Sequence, residues 1–436
     1  MQESAEAAPA GAPSFAEALR VWLNIGLLSF GGPAAQIALM HRVIVEEKRW
    51  LEETPFLGAL SFCMLLPGPE AMQLATYIGW RLHGLRGGLA AGLLFVLPGA
   101  FVMLALSFIY AAFGNLPVIA ALFLGIKSAV LVIVVEALLR IGRRALKTVV
   151  HWAIAAIAFV AIFFLALPFP AIVLAAALFG FWRVGSARAA AGPDTVLPRL
   201  GRRTLGTIAI WLGIWFLPLL GLAAAFGGDN ILVQLGWFFS RLAVVTFGGA
   251  YAVLAYMGQD VVVLHHWLEA GQMMDGLGLA ETTPGPLILV TEFVGFLTAW
   301  RQGGAMPWAM GLLGALVALW ATFTPCFLWI FAGAPYVDWI TRQPRLKGAL
   351  DAITAAVVGV ILNLAVWFSL HVFFAHVTLV QAGPLLLWTP DPTSLDLRVV
   401  ALAALSAFLL LIRHWNIAAV LGVASAAALA LKFTFG

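Results

Sequence analysis

From Gly87 to Ile126 the chain contains no Asp, Glu, Lys or Arg, and from Thr148 to Trp182 it again contains none. Both stretches exceed the roughly 20 residues with which a helix spans a bilayer. Over the whole chain 63% of residues are hydrophobic and 10% charged, against roughly 25% charged in a soluble domain. Lipid is therefore the solvent for most of the sequence, and the expected fold is an all-α polytopic membrane protein, with the bilayer itself as its first partner.

Apolar runs between polar breaks predict thirteen transmembrane helices, centred near Ile25, Pro67, Gly99, Ser128, Phe159, Ala176, Trp215, Thr246, Pro284, Ala318, Gly359, Ser406 and Ala424. A repeat is superimposed on them. Phe30-Gly31-Gly32 returns as Phe247-Gly248-Gly249, Trp50-Leu51-Glu52 as Trp267-Leu268-Glu269, and Pro67-Gly68-Pro69 as Pro284-Gly285-Pro286, each pair 217 positions apart. Beyond these the register slips, with Arg86-Gly87-Gly88 facing Arg301-Gln302-Gly303-Gly304. The expected organisation is a disordered tail over 1–14, a first membrane repeat over 15–184, a basic cytoplasmic linker over 185–203, a linking transmembrane helix over 204–227 and a second repeat over 228–436. The tail holds Glu3 and Glu6 but no base, so it lacks the charged start of a secretory signal.

Basic clusters orient membrane helices toward the cytoplasm. They occur at Arg140, Arg143, Arg144 and Lys147, from Arg183 to Arg203, at Arg342, Arg345 and Lys347, and at Arg413. If the segment around Pro284 crosses the membrane, all of them share one side. Under that parity the N-terminus is cytoplasmic, the linking helix flips the second copy, and the repeats are inverted.

Proline lacks an amide donor and disfavours helix in the residue before it, so PGP inside an apolar segment interrupts the backbone ladder at depth. Such a break survives only where it is buried in protein or lines a cavity. The half-helices after Pro69 and Pro286 are expected to aim free amides and positive dipole ends toward the midplane. Paired breaks in corresponding positions of two halves mark a transporter's substrate site. The expected substrate-binding set is Phe30, Gly31, Gly32, Pro67, Gly68, Pro69, Gln73, Lys127, Arg241, Phe247, Gly248, Gly249, Pro284, Gly285 and Pro286.

Charges at bilayer depth are expensive and mark function. Lys127 and Arg241 are the counter-charges available to an anion; their other use is an internal ion pair with Glu70, Glu281 or Glu292, or snorkelling for Arg241. Those three acids are the proton-coupling candidates, although a carboxylate at a helix N-terminus also serves as a cap. Gln36, Gln73 and Asn363 can donate to an oxyanion or bridge helices. Cys63 and Cys326 sit singly in apolar runs and read as small apolar residues. His371 and His376 are five positions apart, not on one helix face, so no metal or other cofactor is expected. There is no GxxxxGK[ST] loop and no HExxH, which argues against an ATPase or a zinc protease. The small net charge of +4 does not point to nucleic acid.

Phe30-Gly31-Gly32-Pro33, Trp50-Leu51, Leu66 to Leu74, Tyr77-Ile78-Gly79-Trp80, His83-Gly84 and Leu97-Pro98-Gly99, with Phe247-Gly248-Gly249 and Thr283-Pro284-Gly285-Pro286, together resemble the two-domain form of the chromate ion transporter family. The resemblance implies a secondary carrier, not an enzyme, in the bacterial inner membrane. It implies export of chromate with the proton motive force through thirteen spans in antiparallel halves. Leu287 stands where Glu70 aligns, and nothing basic faces Lys127, so the halves need not share the work. Sulfate, of the same charge and nearly the same shape, is the alternative cargo, by import or exchange. A channel or a membrane-embedded enzyme would need a polar-lined path or an acid, base or metal cluster. The sequence leaves the oligomeric state open, a homodimer included.

Overall fold

A computed structural model describes residues 13–114, 116–188, 201–247 and 250–435. The expected tail, except its last two residues, and most of the expected basic linker lie outside the described residues, as do Gly248 and Gly249.

The first half comprises α1 (Phe15–Leu28), α2 (Gly32–His41, continued by a π-turn Arg42–Glu47), α3 (Glu53–Cys63), α4 (Glu70–Phe113), α5 (Pro117–Ala145), α6 (Val149–Phe163) and α7 (Phe169–Arg188). The linking helix α8 (Arg202–Phe226) leads to α9 (Ile231–Val245), α10 (Ala250–Gln259, continued by a π-turn Asp260–Leu264), α11 (Ala270–Thr282), α12 (Val290–Arg301), α13 (Pro307–Gly333), the short α14 (Val337–Thr341), α15 (Pro344–Phe373), α16 (Leu397–Ala407, continued by a π-turn Phe408–Ile412) and α17 (Ile417–Phe435). Starts follow local chemistry: the Ser14, Thr148 and Asn230 side chains cap α1, α6 and α9, and proline opens α5, α13 and α15, where its missing donor is harmless.

Among the described residues one element, a β-hairpin, is not helical. β1 (Val377–Ala382) pairs antiparallel with β2 (Leu385–Pro390) from Val377↔Pro390 to Ala382↔Leu385. The segment is too short to span and turns at Gly383, φ +62°. Next to it, Arg398 donates to Asp396, which holds that carboxyl below its ordinary range.

The breaks turn the chain back on itself. Lys48 Nζ lies 3.0 Å from Glu17 Oε1, so α1 and the α2 extension form a hairpin with its tip at FGG. The Phe62 and Tyr77 rings are 6.0 Å apart, which lays α3 beside residues 70–82 with PGP at the tip. In the second half Arg301 donates to Gln272 Oε1 at 2.6 Å and to the Trp267 carbonyl at 3.0 Å, closing α11 and α12 around the second PGP. Phe238 lies 6.1 Å from the Tyr256 ring on α10 and 5.3 Å from the Trp267 ring just after its extension, which folds α9 and α10 together. A 14-residue helix such as α1 is about 21 Å long, too short for a hydrocarbon core of roughly 30 Å.

Helix α4 is also two arms. His83 and Gly84 leave helical geometry, Gly84 at φ +60°, and residues 85–113 run back along 70–82. The arms touch backbone to backbone: a Cβ on Gly79 would lie 2.4 Å from the Gly87 carbonyl oxygen. The second half repeats this with Gly295 against Gly314 and Ala318. Gly87 thus corresponds to Gly314, 227 positions on, and not to Gly303. Gly79 corresponds to Gly295, 216 positions on, so a one-residue slip follows the PGP motifs, and the longer turn between α12 and α13 then resets the register to 227.

Apolar helices among the described residues include the second arm of α4 with α5, α6 and α7, the linking α8, and α13, α15, α16 and α17. Six of these stretches are long and apolar enough to cross a membrane, and α6, α7 and α16 are shorter apolar helices. Among the described residues four hairpins, turning at the FGG and PGP motifs, accompany these helices, so the membrane helices are broken where the sequence predicts. Arg345 sits 5.5 Å over Phe181 at the end of α7, and Arg140, Arg143 and Arg144 share a groove with His414 and Trp415. All described basic clusters gather at one end, and the halves enter from opposite ends, as inverted repeats must.

Both native cysteines are buried and unpaired, so single cysteines can be introduced on a quiet background. Cysteines at Glu46, Arg143 and Arg342 should react with an impermeant thiol reagent from one side of sealed vesicles, and those at Asp229 and Asp391 only from the other. Glu46 labelling from the side of Asp229 would refute the first hairpin.

Candidate functional site

The four tips meet. Gly285 N–H donates to the Ser29 carbonyl at 2.7 Å, and Gly68 N–H to the Thr246 carbonyl at 2.8 Å. These bonds are equivalent, since Ser29 with Thr246 and Gly68 with Gly285 are both 217 positions apart. Each PGP tip is thereby tied to the approach to the other half's FGG tip. Gly68 (φ +118°), Gly285 (φ +89°), Gly31 (φ +86°) and Gly32 (φ +80°) occupy the region that only glycine enters without strain.

Two buried glutamines brace the junction. Gln36 Nε2 donates to the Gly285 carbonyl at 2.6 Å, and Gln73 Nε2 to the Pro67 carbonyl at 2.7 Å. The Oε1 of each has no partner among the described residues. Crossing helices close the junction from outside: Gly99 on α4 leaves no room for a Cβ against the Pro284 carbonyl, and Cys326 on α13 packs against Gly68. Gly99 and Cys326 are again 227 positions apart.

The arm 70–82 starts at Glu70 after Pro69, with no side-chain cap, so its first amides and positive end face the junction. Glu70 itself is half-buried. After Pro286 a 3₁₀ turn, Leu287–Leu289, precedes α12. Phe30 is 48% exposed, and α2 likewise starts without a side-chain cap. Phe247 is half-buried.

The charges expected at the tips are placed differently. Lys127 Nζ lies 3.3 Å from Asp275 Oδ2, which also accepts from the Tyr110 hydroxyl at 2.8 Å. Lys127 therefore has a partner on α11 that was not among the three acids considered, although an aspartate inside the apolar run Met273 to Ala280 was the visible signal. Arg241 is exposed and donates to the Trp237 carbonyl of its own helix. Glu281 accepts from the Tyr251 hydroxyl at 2.8 Å. Glu292 is buried beside Thr291, and its Oε2 has no partner among the described residues. Among the described residues no three His, Cys, Asp or Glu side chains group as metal ligands do.

Equivalent faces of the two hairpin pairs are packed differently. Tyr251, Ala255, Gly278 and Glu281 are buried, with α11 lying on α5 through Gly278 against Ile126. Their counterparts 217 positions earlier, Ala34, Ala38, Ser61 and Met64, are exposed, Met64 by 59%. One hairpin pair is thus clamped on the bundle and the other is open.

The chromate transporter family matches residues 16–181 and 233–431, one block in each half. The chain belongs to that family. A chromate transport protein of Cupriavidus metallidurans is 30% identical over 78% of this chain and 79% of its own length. One from Pseudomonas aeruginosa is 32% identical over 80% of this chain and 79% of its own. An uncharacterised Bacillus subtilis transporter is 32% identical over 28% of this chain but 69% of its own length. No solved structure matches.

Removing one partner of a buried pair leaves the other uncompensated. Asp275→Asn should therefore lower stability by about 2 kcal/mol, less than for a fully buried pair because Lys127 is 29% exposed. Adding Lys127→Met should restore most of it. An unchanged thermal midpoint in the single variant would remove the pair from the stabilising set.

Proposed function

We propose that this family member is a secondary carrier that moves chromate out of the cytoplasm across a bacterial cell membrane. The crossed hydrogen bonds that bring the PGP and FGG tips of the two inverted halves to one junction carry this reading. Chromate is a tetrahedral dianion that acts only as a ligand, so its site needs donors and positive potential rather than nucleophiles. Half-helix ends and glycine amides supply both at depth. The names of the Cupriavidus and Pseudomonas relatives support chromate as the cargo. Because Lys127 is held by Asp275, the tips themselves supply most of the attraction in this scheme, and Arg241 acts as an approach charge on its exposed helix face.

The basic end is the cytoplasmic one, by the excess of Lys and Arg there. Opposite packing of the two hairpin pairs supports alternating access. Exchanging the packing states of α2 and α3 with those of α10 and α11 closes the basic end and opens the other. Proton entry through Glu70, which stands at the first PGP tip, couples the cycle in this scheme, with Glu281 and Glu292 as the buried alternatives.

Flux in proteoliposomes with chromate, sulfate and molybdate, with and without an imposed pH gradient, tests the cargo and the coupling. Chromate should move faster than the other two, and acidification of the far side should accelerate it. A preference for sulfate overturns the cargo, and indifference to the gradient overturns proton coupling.

The conformational scheme has its own readout. A cysteine at Ala38 should react several-fold faster with a polar reagent than one at Ala255, and saturating chromate under turnover should narrow the difference. An Ala38 cysteine that stays unreactive throughout would mean that this face meets lipid and does not gate.

A further inference from the structure

At the basic end, far along the chain from the tips, the last turns of α5 and the turn between α16 and α17 enclose a groove of about 560 Å³. Arg140, Arg143, Arg144 and His414 bring basic groups to it, and Glu136 is its one acid. That acid is spent on Arg140, at 3.4 Å one helical turn away. Arg143 and Arg144 are exposed and have no ion-pair partner among the described residues. Two uncompensated guanidiniums therefore line one groove, carried on the last turn of α5.

The walls are apolar. Leu139 is 47% exposed and Trp415 43% exposed, and Ile412, just beside the groove, is 67% exposed. Trp at a helix end anchors at the membrane interface. A small dissolved oxyanion would use the guanidiniums and none of this apolar flank. An acyl chain would use it, with the headgroup phosphate held by the arginines, whose planar forks match phosphate oxygens.

We propose that this groove is a binding site for an anionic glycerophospholipid, its phosphate on Arg143 and Arg144 and its chains along Leu139 and Trp415. Basic pockets between membrane helices on the cytoplasmic side take such headgroups. The site is separate from the tips and stands whether or not the cargo is chromate.

Full-length protein in detergent is titrated with phosphatidylglycerol, cardiolipin, phosphatidylcholine, inorganic phosphate and chromate, with lipid retention read by native mass spectrometry and stability by thermal midpoint. Phosphatidylglycerol and cardiolipin should be retained over phosphatidylcholine and should raise the midpoint, and inorganic phosphate should not displace them. In the Arg143→Gln, Arg144→Gln double variant the anionic preference should fall at least about tenfold. Arg342→Gln, at the same end but outside the groove, should leave it unchanged. If the double variant does not fold, the wild-type preference over phosphatidylcholine and its resistance to phosphate decide the matter. Equal retention of phosphatidylcholine, displacement by inorganic phosphate or chromate, or full anionic preference in a folded double variant would overturn the proposal.

Discussion

A helix broken inside a bilayer leaves amides and carbonyls that no water can satisfy, and each must find a partner within the protein. Here the partners are reciprocal. The Gly68 and Gly285 amides, freed by the flanking prolines, bond to the Thr246 and Ser29 carbonyls, freed by the FGG breaks. Neither half can satisfy its own PGP tip in this way, so the two halves must meet there. The fold depends on this exchange, because it fixes where the inverted repeats touch and aims the free half-helix ends at a common point.

Small residues make the exchange reachable. Without a hydrophobic driving force between helices in lipid, close approach of backbones replaces it. Gly79 on Gly87 and Gly295 on Gly314 hold the two arms of each half together, and Gly99 lets α4 lie directly on the Pro284 carbonyl. A side chain at any of these positions would push a tip away from its partner. The unequal member is Cys326, which stands where the first half has Gly99 and sets its side chain against Gly68.

Symmetry of backbone coexists with asymmetry of charge and packing. Asp275, Glu281 and Glu292 all belong to the second half, and two of them are held by tyrosine hydroxyls. Their first-half equivalents include Gly58 and Met64, which carry no charge and sit on an open face. Buried acids held by tyrosine hydroxyls clamp one hairpin pair, and among the described residues no buried acid does so in the other, where the half-buried His41 pairs with the exposed Glu53 instead. Such a difference lets one hairpin pair move while the other serves as its frame.

Composition and periodicity alone determined the membrane class, the duplication and the common side of the basic clusters, because hydrophobicity, repeated tripeptides and charge placement are written locally. The equivalence of the FGG and PGP breaks in the two halves was legible as well, through the single spacing of 217. Three things were not. That the breaks fold into hairpins depends on contacts such as Glu17 with Lys48, which no local pattern encodes. That Lys127 pairs with Asp275 depends on α11 lying on α5, two elements far apart in the chain. The resetting of register to 227 depends on a turn whose length matters only once the glycine faces meet. Tertiary structure decided these because an ion pair or a backbone contact is defined by distance in space, and sequence spacing constrains that distance only within one helix.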